Sequence, residues 1–462
     1  MKLRSIIFSF FVLHLIIISS VLSTGCAQIG IPTGGIKDTL APKLIRATPI
    51  MNSRNVTSNK ITLEFDEYID VQDLQQNLLI SPLQNRNPSI VAGPRSITLK
   101  FRDTLLPNTT YNINFGNAVR DINENNILKN LTYVFSTGSS LDSLALKGKV
   151  TLAETGATDS TLLVMLYKNA VDSTVKNKKP NYIAKVNSDG TFNFSNLPAA
   201  SFKIYALKDG DGGKTYNSLS EIFAFANEEV STLKPDNITL FAFAQELPKD
   251  NKTFSSTKPV LEKKLKVNNN IQGTKDLLEP LEISFNNPLK SFDTTKIYLT
   301  DTLFKKITAL NYSTDSTAKK IFITTKWKPE DALVLIIDKD AVQDSAGTKL
   351  TKSDTFKFTT KRAEEYGKLT LRFNDIDLAK NPVIQFVLGE NVKYSYPIVS
   401  STYTNSMFPP GEYTVRILYD KDKNGKWTPG NYSKKLQPEI VVALPQKLSV
   451  RADWDNEREI NL

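Results

Sequence analysis

Histidine and cysteine, which carry much of enzyme chemistry, are nearly missing. The 462-residue chain has one of each, His14 and Cys26, and both lie in an N-terminal stretch patterned like an export signal. If that stretch is removed or membrane-embedded, the working protein has no imidazole and no free thiol. Ser-His-Asp catalysis, Cys-His catalysis and His- or Cys-ligated zinc then lack their key residues. A single cysteine also excludes a disulfide framework. Long helical periodicity is scarce too: almost no stretch after the first 25 residues keeps apolar residues at i, i+3, i+4 and i+7. Charge of one sign is not concentrated. Basic residues number 58 against 48 acidic, and lysines such as Lys176, Lys178, Lys179, Lys263, Lys264 and Lys266 are scattered along the chain. No helix-turn-helix, zinc-finger or aromatic-basic signature lies beside them, so nucleic acid is not an expected partner. What is present suffices for folding: 40% of residues are hydrophobic and 23% charged, far from a disordered composition.

Lys2 and Arg4 precede an almost unbroken apolar run, Ile6 to Leu22. This is the layout of a secretory signal, expected over residues 1–25, although the run is also long enough for a retained anchor. Leu22-Ser-Thr-Gly-Cys26 resembles the lipobox of bacterial lipoproteins, with Ser23 where that family usually has Leu. The resemblance implies that Cys26 becomes the acylated first residue of the mature chain. Plain secretion, with cleavage after Gly25 or Ala27, is the alternative. Each acyl methylene placed in a bilayer contributes about 0.8 kcal/mol, so several chains on one cysteine hold a protein at a membrane. Residues 26–43, with Pro32, Gly34, Gly35 and Pro42, read as a tether.

Beyond the tether, short alternating runs recur between Gly, Pro, Asn and Asp clusters, and the reading is all-β. Ile61, Leu63 and Phe65 alternate with polar neighbours, as do Ile97, Leu99 and Phe101, then Tyr111, Ile113 and Phe115. The order repeats later. Leu281 to Phe285 answers Ile61 to Phe65, Ile321 to Thr324 answers Ile97 to Lys100, and Ala332 to Ile337 answers Thr110 to Phe115. Val119, Asp121 and Asn125 before Tyr133 to Thr137 parallel Val342, Asp344 and Gly347 before Phe356 to Thr360. These two stretches, 44–138 and 271–361, resemble the bacterial Ig-like domains of S-layer proteins, which implies sandwiches. Two further stretches, 144–245 and 366–462, share another pattern. Asn187-Ser-Asp-Gly-Thr-Phe-Asn-Phe194 supplies an Asp-Gly hairpin, and Leu197-Pro198 leads into Phe202 to Leu207; the counterpart is Phe408 to Tyr419. Both resemble transthyretin-like, carboxypeptidase-regulatory-like sandwiches. The expected fold is therefore tandem β-sandwiches, Ig-like alternating with transthyretin-like, with a linker at 246–270.

Few residue groups suggest chemistry. Asp420, Asp422 and Asn424 resemble the start of a calcium loop, whereas its twelfth position, Asn431, is not the usual Glu; a solvated hairpin turn is the simpler reading. Apart from this calcium option no cofactor is expected. Asp209-Gly-Asp-Gly-Gly213, with Glu221 nearby, stands at the matching place in the earlier copy. Asp66 and Glu67 are adjacent, so on a strand they point to opposite faces and cannot flank one glycosidic bond. Tyr394, Tyr396 and Tyr403 could present an aromatic binding surface or be half-buried strand residues.

One enrichment stands out. Asp, then Ser or Thr, then an aliphatic residue, Met or Thr, occurs at Thr39, Thr104, Ser143, Ser160, Ser173, Thr294, Thr302, Ser316 and Ser345. It resembles the O-glycosylation sequon of Bacteroidota, although Asp-Ser and Asp-Thr also simply favour turns. The reading is a non-enzymatic, lipid-anchored outer-membrane lipoprotein that docks another envelope protein, with glycan binding as the alternative. No acidic run follows Cys26, which favours the periplasmic face by resemblance to lipoprotein sorting rules.

Overall fold

The computed structural model describes residues 12–13, 37–246, 262–271 and 273–462. Cys26, nearly all of the expected signal, the first part of the tether (27–36) and most of the linker (247–261) lie outside the described residues. Among the described residues, no helix is long and apolar enough to cross a membrane. The regular secondary structure is almost entirely strand, as the alternation predicts.

The chain divides into two compact units. In the first, which among the described residues holds 37–79, 84–108 and 113–139, a four-stranded sheet runs in the order Leu44–Thr48, Lys60–Phe65, Ser96–Lys100, Ser89–Gly93. Ile61, Leu63, Phe65, Ile97, Leu99 and Phe101 are all buried, so the period-two pattern reports one inward face. Phe101 packs edge-on against Phe135, from the closing strand Thr132–Ser136.

The second unit holds three sandwiches. In the first of them an eight-stranded sheet curls around Leu146, Val164, Leu166, Phe192, Phe202 and Leu240, and its first strand, Leu144–Leu152, pairs in parallel with its last, Ile238–Ala244. The next sandwich sets the sheet Val267–Asn269, Leu281–Phe285, Lys320–Thr324, Asn311–Thr314 over Thr274–Lys275, Asp354–Thr360, Ala332–Ile337, Ile297–Asp301. Leu281, Ile283, Ile321, Ile323, Leu333 and Leu335 fill it. In the last sandwich Gly367–Asn374 lies between Thr402–Phe408 and Asp455–Asn461, and the latter is again a final strand running parallel to the first. The two modules that resemble each other in sequence thus close in the same way.

The repeated Asp before each final Ig-like strand is structural. Asp121 is buried and accepts the backbone N–H groups of Glu124, Asn125 and Asn126. Asp344 is buried as well; it accepts those of Ala346 and Thr348 and the Asn287 amide. Asn125 takes φ +62° where Gly347 takes +88°, so asparagine fills the left-handed turn position that glycine fills in the other copy. For both carboxyls burial pushes the pKa up, but hydrogen bonds pull harder and leave it below the ordinary value. Asp344→Ala is expected to lower the stability of the second unit by about 2 kcal/mol, because it strands buried donors. Their depressed pKa values mean this stabilisation is present near neutrality and fades as pH falls through the carboxylate range; acid titration followed by circular dichroism reads both effects.

A second titration runs the other way. Lys275 is 1% exposed, donates to the carbonyls of Asp276 and Glu279, and its ammonium lies 5.0 Å from the Trp327 ring centroid. Burial pushes it down to about 8 from 10.5. The folded chain therefore releases this proton before the unfolded chain does. Stability should rise between pH 8 and 10, then fall as buried tyrosines such as Tyr216, pushed up to about 12, resist ionisation that the unfolded chain permits. Urea midpoints across pH 7–11 check this, and Lys275→Met should flatten the rising limb.

Candidate functional site

The most elaborated surface feature is the long connection between strands Gly411–Tyr419 and Ile440–Ala443. Its first half is the acidic stretch read from sequence. Asp420 is buried and accepts from Asn424 N–H (3.2 Å) and Gly425 N–H (2.7 Å). Lys423 at φ +60° and Gly425 at +75° make the tight turn these bonds require. Asp422 accepts from the Asn424 amide and from the Thr428 hydroxyl; that hydroxyl is the main reason its pKa lies below the ordinary value.

Glu439, which the sequence reading missed, completes the group. It is buried, it accepts the Lys421 N–H at 2.6 Å and the Thr428 N–H at 2.9 Å, and its carbonyl accepts the Trp427 indole N–H. Carboxylate oxygens of Asp420, Asp422 and Glu439 lie within 4.8 Å of one another, which makes these three, among the described residues, the group that could hold a metal ion. Asn424, the third ligand expected from sequence, uses its amide oxygen on Lys426 N–H and turns its NH2 toward Asp422 and Thr428. The arrangement organises backbone.

The second half of the connection is a plug. Tyr432 is 4% exposed and inserts into the 144–244 sandwich, with ring centroids 5.1 Å from Phe223, 5.2 Å from Phe225, 5.9 Å from Tyr205 and 6.1 Å from Tyr216. Its hydroxyl donates to the Asp172 carbonyl at 2.7 Å and lies 3.1 Å from the Tyr205 hydroxyl. Burial, then the Tyr205 hydroxyl, pushes this phenol far above its ordinary value. At the rim, the Asp172 carboxylate takes Lys203 from its own sandwich and Lys435 from the plug, which together hold it below the usual carboxylate range. Lys435 also lies over the Tyr432 ring. Gly430 passes so close that a Cβ there would meet the Phe243 ring at 2.6 Å. Gln437 donates to the Phe225 carbonyl, and Val441 N–H reaches the Ala153 carbonyl.

The earlier acidic stretch is built alike and faces the plug. Asp209 accepts from Lys214 N–H, Asp211 from Gly213 N–H and Asn217, and Glu221 from the N–H groups of Asn217 and Ser218. Tyr216 within it stacks on Phe223 at 4.0 Å and meets Tyr432.

The other sequence-level candidates are placed as follows. Asp66 and Glu67 follow the strand Lys60–Phe65; Asp66 accepts Lys43 N–H, and Glu67 is raised by partial burial and then by Asp121, Asp66, Asp38 and Glu124. Tyr394, Tyr396 and Tyr403 are partly buried against Phe386, Phe408 and Tyr413, which is the strand-residue reading. Thr39, Thr104, Ser143, Ser160, Ser173, Thr294, Thr302, Ser316 and Ser345 are all exposed and outside strands. At Thr39, Ser160, Thr294, Thr302, Ser316 and Ser345 the preceding Asp accepts the N–H two residues on, which leaves the hydroxyl residue at the apex of an Asx turn.

With this geometry in view, comparison with known proteins adds a fold assignment for one part. Residues 38–137 match the family described as a bacterial Ig-like domain. No curated protein matches the chain. Among solved structures, the chain is similar to the MG0-NIE-MG1 part of alpha-2-macroglobulin from Escherichia coli, at 12% identity over 39% of this chain and 72% of that one, TM-score 0.20. It is also similar to BcpA, the major pilin subunit of Bacillus cereus, at 8% identity over 69% and 99%, TM-score 0.17. The S-layer protein SbsC matches at 13% identity over 91% of this chain and 54% of that one, TM-score 0.17. Likenesses this slight carry no argument about what the chain does.

Removing the plug's ring should be costly. Tyr432→Ala is expected to lose about 3–5 kcal/mol and Tyr432→Phe about 1 kcal/mol from the unfolding of the second unit. Glu439→Gln should lose about 1–3 kcal/mol, because its backbone donors keep only a neutral acceptor. Urea denaturation followed by tryptophan emission, with Trp427 as the local probe, measures all three.

Proposed function

We propose that the chain is a non-catalytic envelope scaffold, anchored to the outer membrane through acylated Cys26, that presents sandwich edges to a protein partner. The observation that carries this reading is the use of its acidic side chains: Asp121, Asp344, Asp420 and Glu439 are buried on backbone N–H groups, while the only histidine lies in the expected signal and the only cysteine is the proposed acylation site. Such a chain binds with its surface.

Partner docking is supported by the sheet edge Ser89–Gly93, which follows Ser96–Lys100 at the end of its sheet, carries no charge or proline, and leaves Val91 exposed. Sugar binding draws less support, since Tyr394, Tyr396 and Tyr403 pack into a core. The nine exposed Asp-Ser and Asp-Thr pairs are the proposed O-glycosylation sites; the glycans would remain solvated there. The periplasmic face is the proposed side.

Palmitate labelling with membrane fractionation tests the anchor: label and membrane recovery should drop together in Cys26→Ala, and equal values in the two proteins would refute it. Crosslinked pull-down from solubilised envelope should recover a partner whose yield falls at least several-fold in Val91→Lys. Unchanged recovery alongside a positive glycan microarray would favour the sugar-binding reading.

A further inference from the structure

The most exposed apolar point in the described residues belongs to the second Ig-like sandwich, at the turn that follows Ile297–Asp301. There Leu303 is 86% exposed and Phe304 63% exposed, side by side. Phe304 has φ +61°, a conformation that bulky residues seldom take and that glycine or asparagine usually fills. The turn holds it there by bonds of its own. Asp301 N–H donates to the Lys305 carbonyl, Phe304 N–H to the Asp301 carbonyl, and the Asp301 carboxylate accepts the N–H groups of Leu303 and Lys305. Thr300 bridges Lys306 below.

Three properties follow. The tip offers two large apolar side chains to whatever lies beyond it. The backbone donors of Leu303, Phe304 and Lys305 are already satisfied within the turn, so moving the tip out of water strands none of them. Lys305 and Lys306 are exposed directly behind the apolar pair, and the Lys306 ammonium lies 3.9 Å from the Tyr298 ring centroid. An apolar point whose backbone N–H groups are already bonded, with lysines beside it, matches a bilayer interface with anionic headgroups: the apolar side chains enter the acyl boundary and the lysines meet the phosphates.

We propose that the Leu303-Phe304 tip inserts into the interface of an anionic lipid surface, with Lys305 and Lys306 contacting headgroup phosphates. The insertion supplies a second, reversible membrane contact in addition to any N-terminal anchor, and single weak contacts gain most when another already holds the chain at the surface. It also competes with one proposed modification, since a glycan on neighbouring Thr302 would keep the tip in water.

The test uses the full chain carrying Phe304→Trp, with the wild-type spectrum subtracted to remove Trp327, Trp427 and Trp454. On phosphatidylglycerol-containing vesicles, residue 304 emission should shift to the blue and be quenched several-fold more by shallowly brominated lipid than on pure phosphatidylcholine. Replacing both Lys305 and Lys306 by Ser in the same background should remove that difference. Flotation, read in parallel, reports the N-terminal anchor independently. A chain that floats while residue 304 stays unquenched overturns the insertion and leaves the anchor standing, as does shielding of residue 304 that appears without lipid and grows with protein concentration, which would mean a second copy covers the tip. Failure to float on anionic vesicles overturns both.

Discussion

A carboxylate turned onto backbone N–H groups is the device on which this chain relies. With one cysteine it cannot cross-link its loops, and it closes its turns with charge-assisted hydrogen bonds instead. Asp121 and Asp344 do so before the last strand of each Ig-like sandwich, Asp209 and Glu221 in one acidic stretch, and Asp420 and Glu439 in the other. Each bond to an ionised acceptor is worth more than a neutral one, and each buried carboxylate would be costly if its donors were removed. These acids thus serve first to hold the backbone of their turns. Their lone pairs are occupied in holding geometry.

That device was only half visible in sequence. The alternation at Ile61, Leu63 and Phe65 shows one buried face because strand side chains have a period of two, and the Asp121–Asp344 correspondence shows the shared turn because the residues involved lie within five positions. Glu439 could not be found in this way. It sits fifteen residues after Asn424, and only the pairing of Ile440–Ala443 with Gly411–Tyr419 returns it to Asp420. The triplets at Thr294 or Ser345 were readable as turns, since Asp favours them locally.

The plug was out of reach for a related reason. Tyr432 and Tyr205 are 227 residues apart, and no local pattern tells a tyrosine that will fill a distant aromatic pocket from one that stays in its own sheet. Recurrence was the available signal. The two acidic stretches follow matching strands, and the structure brings them together through Tyr216 and Tyr432. A surface duplicated with its module is available to meet its own copy, much as homo-oligomers pair identical patches.

The clasp also constrains what the chain can do. Burying one tyrosine side chain removes roughly 150–250 Å² from water, about 4–6 kcal/mol at the usual coefficient, and the Asp172 bonds fix its direction. The sandwich between the two clasped modules joins the last module directly, through Tyr366, whose hydroxyl accepts Leu277 N–H, and through the Lys393–Glu279 ion pair. A hinge that opened to release a product would have to break the aromatic plug on each cycle. Parting the two clasped modules therefore means losing the aromatic plug and the Asp172 bonds together.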